Sequence, residues 1–214
     1  MAAPQPQASY RPVMSHAGLK PAFRVTAVDE FGEPRESQVA GEQPLTLYLD
    51  KREVVTLMTL GTHPELLVLG YLRNQRLVPC LESVHSIQVD WETEAVAVTT
   101  CDGVDDLERK LAHRTVTSGC GQGTVFGRIS DYLDRLRLPA AEVRQSRIYD
   151  LLERLNAHNE VYKRAGAVHG CALCAAGGIE LFVEDVGRHN AADAIAGHMW
   201  LNAVDGADKL FYTT

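Results

Sequence analysis

The chain has 214 residues, 45% of them hydrophobic and 23% charged, with a formal net charge of −7. That composition belongs to a globular protein with a sizeable core and argues against broad binding to nucleic acid or anionic membranes. No apolar run is long enough to span a bilayer, and MAAPQPQASYRPVMSHAG lacks the apolar centre of a secretory signal, so the expected compartment is the cytoplasm.

Residues 1–22, rich in Ala, Pro, Gln and Ser at the start, read as a disordered leader. FRVTAVD (23–29) predicts a strand, and PLTLYLDKREVVTLM (44–58) a hairpin turning at Asp50, Lys51 and Arg52. THPELLVLGYLRNQ predicts a helix: Thr62 and Glu65 stand at capping-box spacing, Pro64 in the first turn, and Leu66, Leu69 and Leu72 recur on one face. VHSIQVD (84–90) and EAVAVTT (94–100) predict a second hairpin, completing a β-rich part over 23–115.

A glycine-rich loop follows at 116–130, where Gly119, Gly121, Gly123 and Gly127 surround Cys120. Glycine is the residue of close approach and loop motion, so this thiol reads as presented, with a lone loop thiol of no role as the plainer alternative. A nearby cation or helix N-terminus would lower its pKa and make it a nucleophile at neutral pH.

Over 131–214, SRIYDLLERLNAHNEVYKRAG predicts one long helix with Gly166 at its C-cap. AVHGCALC and IELFVED predict strands, GRHNAADAIAGHMWLN a helix, and KLFYTT a last strand. The order suggests a mixed sheet with flanking helices, α/β (α+β) in class.

Five cysteines, an odd number in no scaffold rhythm, fit a reducing compartment. Cys171 and Cys174 alternate faces of one strand and cannot chelate an ion together, so they read as small buried hydrophobes, as do Cys80 and Cys101. His169 is followed by Gly170 and Cys171, and no P-C-x-x-C occurs, so no zinc site is expected. VEDVGRHNAADAI (183–195) crowds Glu184, Asp185, Arg188, His189 and Asn190 at a strand-to-helix junction. There helix amides and Arg188 suit phosphate, and Asp185 offers an acceptor to a base such as guanine. The alternative, that Asp185 or Asn190 caps the helix while Arg188 and Glu184 pair on the surface, stands equal to it.

PLTLYLDKREVVTLMTLGTHPELLVLGYL, TSGCG, GAVHGCALC, VEDVGRHNAADAI and DKLFYTT together resemble the formate dehydrogenase accessory sulfurtransferase family, the FdhD proteins, over about residues 23–214. The resemblance implies a cytidine-deaminase-like fold without a zinc site. It also implies a role: taking persulfide sulfur from a cysteine desulfurase and passing it to the molybdenum or tungsten bis(pterin guanine dinucleotide) cofactor of formate dehydrogenase. Cys120 falls on the persulfide-carrying cysteine. Asp185, Arg188, His189 and Asn190 fall on the motif associated with the guanine nucleotide portion, for which guanosine diphosphate would be a surrogate, and His169 falls in the family's Val-His strand. A homodimer is left open.

Two departures stand out. Gly123 replaces the family's second loop cysteine, so a lone Cys120 must pass its outer sulfur directly to the acceptor. The sequence also ends at Thr214, where the family continues through further elements, so the expectation is of a truncated member. The alternatives to a sulfur carrier are a cofactor-binding chaperone and an inactive truncated form.

Overall fold

The computed structural model describes residues 10–104, 107–108, 114–116, 124–126, 137 and 142–214. Its class is mixed α and β. Among the described residues the largest sheet has five strands in the order β1-β6-β7-β4-β5, formed by Val13–Met14, Val84–Asp90, Ala95–Thr100, Gln43–Leu49 and Arg52–Thr59. It is mixed: β1 runs parallel to β6 and β4 parallel to β7, while the two predicted hairpins are antiparallel. Asp50 and Lys51 both take positive φ (47° and 68°), the backbone of the two-residue hairpin turn whose twist matches its strands.

The second part carries a three-stranded antiparallel sheet, β11-β10-β12, built from Gly178–Asp185, His169–Ala175 and Leu210–Thr213. Among the described residues both parallel pairings lie in the first part of the chain. Alternation along β10 sends Cys171 and Leu173 into the main hydrophobic cluster and Ala172 and Cys174 into a smaller one. Both cysteines are buried, as the spacing implied. Cys80 and Cys101 are exposed instead, because they sit at the ends of β6 and β7 around the turn Leu81–Ser83 and not within a strand face.

Helix α1 (Pro64–Asn74) is buried on nearly every side, at Leu67, Val68, Leu69, Tyr71 and Leu72, because it is held between the five-stranded sheet and helix α4 (Arg188–Leu201). The α1–α4 crossing is a backbone contact. A Cβ on Gly70 would lie 1.7 Å from the carbonyl oxygen of Asp193, and one on Gly197 would lie 1.9 Å from that of Leu66. Helix α2 (Gln145–His158) covers the other face of the three-stranded sheet with Leu151 and Leu155.

Several local expectations change. The long helix over 146–166 is two, α2 and α3 (Glu160–Ala165), because the Glu184 carboxylate accepts from the amides of Val161 (2.9 Å) and Tyr162 (2.8 Å) and starts a new helix there. Gly166 does follow α3, at φ 64°. The capping box does not form. His63 is the N-cap without a side-chain bond, and Oε1 of Glu65 accepts from Ser15 Oγ (2.8 Å) and the Ala17 amide (2.7 Å). PRESQVA, too polar to read as a strand, is β3 (Pro34–Ala40), paired with β2 (Ala22–Val28) in a separate ribbon.

Residues 10–19 belong to the fold and not to a disordered leader. They form a strap across β6, α1 and α4, in which the Leu19 amide donates to Gly61 O (2.7 Å), Trp91 Nε1 to Ala17 O (2.6 Å) and Arg11 to Asn202 Oδ1 (2.6 Å). No described helix is long and apolar enough to cross a membrane.

Candidate functional site

Strands β11 and β12 both end, and β10 begins, at one edge of the three-stranded sheet, so His169, Asp185 and Thr213 gather there; His169 stands opposite Asp185 in register. From that edge the chain turns through Val186 and Gly187 into α4.

Asp185 is 4% exposed, and its lone pairs are taken by the chain itself. Oδ2 accepts from Thr59 Oγ1 (2.6 Å) and the Leu60 amide (3.0 Å), and Oδ1 from Asn190 Nδ2 (2.9 Å) and the Gly187 amide (3.2 Å). Four donors saturate a carboxylate, so this geometry leaves it nothing to offer a base edge. Asn190 is buried too, and Nδ2 also donates to Met58 O at 2.6 Å. Asp185 and Asn190 together fasten the end of β5 to the β11–α4 junction. Burial pushes the Asp185 carboxyl above the usual carboxylate range, against the pull of its hydrogen bonds.

Arg188 and His189, the first residues of α4, are exposed, and neither side chain is hydrogen bonded to another described residue. Arg188 is not paired with Glu184, whose buried carboxylate is spent on α3. Within the motif, two residues are structural fasteners and two face solvent at a helix N-terminus, an arrangement in which a guanidinium and backbone amides can receive an anion. His169 Nδ1 lies 3.1 Å from Thr214 Oγ1. Behind the helix start, Cys171 Sγ is 3.3 Å from Thr213 Oγ1 and 3.6 Å from the Arg188 carbonyl oxygen; burial pushes its thiol up and makes it a poor nucleophile.

Cys120 and the residues around it, 117–123, lie outside the described residues. The strands that flank it, β8 (Arg114–Val116) and β9 (Thr124–Phe126), pair antiparallel, so Val116 and 124–126 of the expected loop are strand.

Motif reading missed the residues at the end of β5 and just beyond it. Thr59 and Leu60 hold Asp185, while Thr62 and His63 line a cavity of about 450 Å³ shared with His158, Val161, Phe182 and Glu184. The available signal was TLGTH (59–63), which closes an apolar strand with Thr59 and leads on through Gly61 to Thr62 and His63. His158 and Phe182 stack at 5.6 Å with a 37° tilt.

The sequence profile of the FdhD/NarQ family matches residues 40–214. Among curated relatives, the sulfur carrier protein FdhD of Shouchella clausii is 29% identical over 187 residues, covering 85% of this chain and 70% of its own length. The proteins of the same name from Wolinella succinogenes and Listeria innocua are 24% and 29% identical over 83% and 81% of this chain. The chain spans 64% and 68% of their respective lengths. A solved structure from Desulfotalea psychrophila, provisionally described as a formate dehydrogenase accessory protein, superposes with a TM-score of 0.64. It covers 90% of this chain and 73% of its own at 21% identity, a likeness of fold.

Proposed function

The chain belongs to the FdhD/NarQ family, and from that premise we propose that it is a sulfur carrier in the maturation of formate dehydrogenase. The observation that carries this reading is the family match over residues 40–214, together with relatives named sulfur carrier proteins. In the finer reading the Cys120 thiolate attacks the outer sulfur of a persulfide on a cysteine desulfurase. A new sulfur–sulfur bond forms at Cys120, the donor's breaks, and the donor leaves as thiolate. The acceptor is the molybdenum or tungsten bis(pterin guanine dinucleotide) cofactor, handled as substrate.

The residues at the start of α4 divide the remaining work. Arg188, His189 and the first-turn amides receive the anionic portion of the acceptor, while Asp185 and Asn190 are positioning residues that fix where this helix begins. Four-donor saturation of Asp185 supports that division. Guanosine diphosphate is the surrogate ligand for this surface.

The test is complementation. In a bacterial strain lacking its own family member, this chain restores formate dehydrogenase activity and Cys120→Ala does not. Equal restoration by Cys120→Ala would replace the carrier by a cofactor-binding chaperone. Failure of a soluble, folded wild-type chain would overturn the proposal.

A further inference from the structure

The start of α4 has no side chain of its own to cap it. Gly187 is the N-cap and makes no side-chain bond, so the place where the helix begins rests on Asp185 Oδ1, which accepts from the Gly187 amide (3.2 Å) and Asn190 Nδ2 (2.9 Å). The other oxygen of that carboxylate is held from β5, where its side-chain partner is Thr59. A hydroxyl has one proton. Thr59 Oγ1 gives it to Asp185 Oδ2 at 2.6 Å and accepts in turn from the Gly61 amide at 3.1 Å, so the direction of both bonds is fixed. Thr59 is 2% exposed, and both bonds therefore act in a low-dielectric interior.

Gly61 ties this hydroxyl to the strap. Its carbonyl oxygen accepts from the Leu19 amide (2.7 Å) while its own amide serves Thr59, so both backbone groups of one residue are engaged, one on each side. Its φ of 67° suits glycine, and a Cβ there would lie 2.8 Å from the Trp91 ring and 3.1 Å from Leu19 Cδ1. A Cβ on Gly18 would lie 2.8 Å from the Thr62 carbonyl oxygen, which puts strap and loop in backbone contact at the next residue as well. The strap is anchored independently of this loop. Ser15 Oγ and the Ala17 amide donate to Glu65 Oε1, the Val89 amide to Ser15 Oγ (3.0 Å) and Trp91 Nε1 to Ala17 O. All of these strap residues precede the stretch 40–214 that the family profile matches.

An unbroken run of hydrogen bonds thus leads from Leu19 through Gly61, Thr59 and Asp185 to the N-cap of α4. We propose that the strap positions the first turn of α4 through this run, with Thr59 as the positioning residue, and so sets the affinity of that turn for guanosine diphosphate. The inference rests on the reading of Arg188, His189 and the first-turn amides as the surface that receives an anion. Amides bind an anion only as well as they converge on it, so a displaced N-cap lowers affinity even with Arg188 in place.

The test is calorimetric titration of the whole chain with guanosine diphosphate, paired with hydrogen exchange of the Gly187 amide in the ligand-free protein. Thr59→Val removes the hydroxyl at nearly constant shape; it should weaken binding about five- to tenfold and speed Gly187 exchange, and Thr59→Ser should restore both. Gly18→Ala, at an exposed position of the strap, presses a methyl group on Thr62 O and should weaken binding about threefold, with faster Gly187 exchange. Circular dichroism checks that each variant is folded, and Gly18→Ala carries the test if Thr59→Val is not. Leu49→Ala is a buried truncation at the opposite end of the β4–β5 hairpin from Thr59, and it should lower stability while leaving both readouts at the wild-type value. If Thr59 acted only through overall stability, Leu49→Ala would move them as far, and that result would overturn the proposal. Wild-type affinity and exchange in folded Thr59→Val, or in Gly18→Ala, would overturn it too while leaving the Arg188 surface intact. A wild-type chain that does not bind guanosine diphosphate would overturn the reading of that surface and the affinity claim with it; Gly187 exchange would still decide whether the strap holds the helix start.

Discussion

Asp185 and Asp193 are both partly or fully withdrawn from water where α4 meets the rest of the chain, yet one has four hydrogen-bond donors and the other has one. Asp185 lies at the β11–α4 junction, where strand ends and loop amides point inward and can be gathered by one carboxylate. Asp193 lies at the α1–α4 crossing, where Gly70 and Gly197 bring two backbones into contact. Backbone amides inside helices are already spent, so Asp193 receives a bond only from Asn74 Nδ2, at 2.7 Å, one turn beyond Gly70. Burial then pushes its carboxyl up to about 7. The junction is held by polar saturation and the crossing by shape, and each fails differently.

The crossing is the more brittle region. Gly70→Ala or Gly197→Ala puts a methyl group against a carbonyl oxygen of the facing helix, with no flexible side chain to yield. Either is expected to cost about 4 kcal/mol or more, read as loss of the cooperative thermal transition. Ordinary stability in Gly70→Ala would show that the helices can slide apart.

At the junction, Asp185→Ala strips the acceptor from Thr59, Leu60, Gly187 and Asn190 at once. A loss of about 3 to 5 kcal/mol in urea unfolding is expected, since buried donors would be left unsatisfied. A loss below about 1 kcal/mol would mean that water reaches these donors in the folded state.

Asp193 sharpens the comparison through pH. Its folded-state pKa of about 7 stands above the ordinary 3.8. Between about pH 4 and 7 the folded chain therefore keeps a proton that the unfolded chain releases, and stability falls as pH rises through that window. Asp193→Asn keeps an acceptor for Asn74 and removes the slope, so its Tm should exceed the wild type's at pH 8 and approach it at pH 4. Parallel Tm curves for the two would contradict the assignment. The smallest effect on stability is expected for Arg188→Gln, within about 0.5 kcal/mol because the side chain is exposed. Calorimetric titration of that variant with guanosine diphosphate should nevertheless show weakened binding.

What could be read from sequence follows the range of the forces involved. The hairpins around Asp50 and Glu92, helix α1 and the β10–β11 pair were visible because alternation, turn residues and Pro64 act within a few positions. The break at Asn159 was not, since Glu184 makes it from another element. Nor was the strap, whose bonds to Glu65, Trp91 and Asn202 all span long stretches of chain. At the motif, spacing marked Asp185, Arg188, His189 and Asn190 as one cluster. Only burial separated the two that fasten the fold from the two that face solvent. Thr59, Leu60 and His63 carry ordinary residue types, and only the fold brings them to the junction and its cavity.

The most direct test of the sulfur-carrier reading is the intact mass of the purified chain after incubation with a cysteine desulfurase and cysteine, run beside Cys120→Ala. A gain of one sulfur atom in the wild type, lost on reduction and absent from the variant, is the predicted result. A folded wild-type chain that gains no sulfur, or a Cys120→Ala variant that gains it equally, would contradict it.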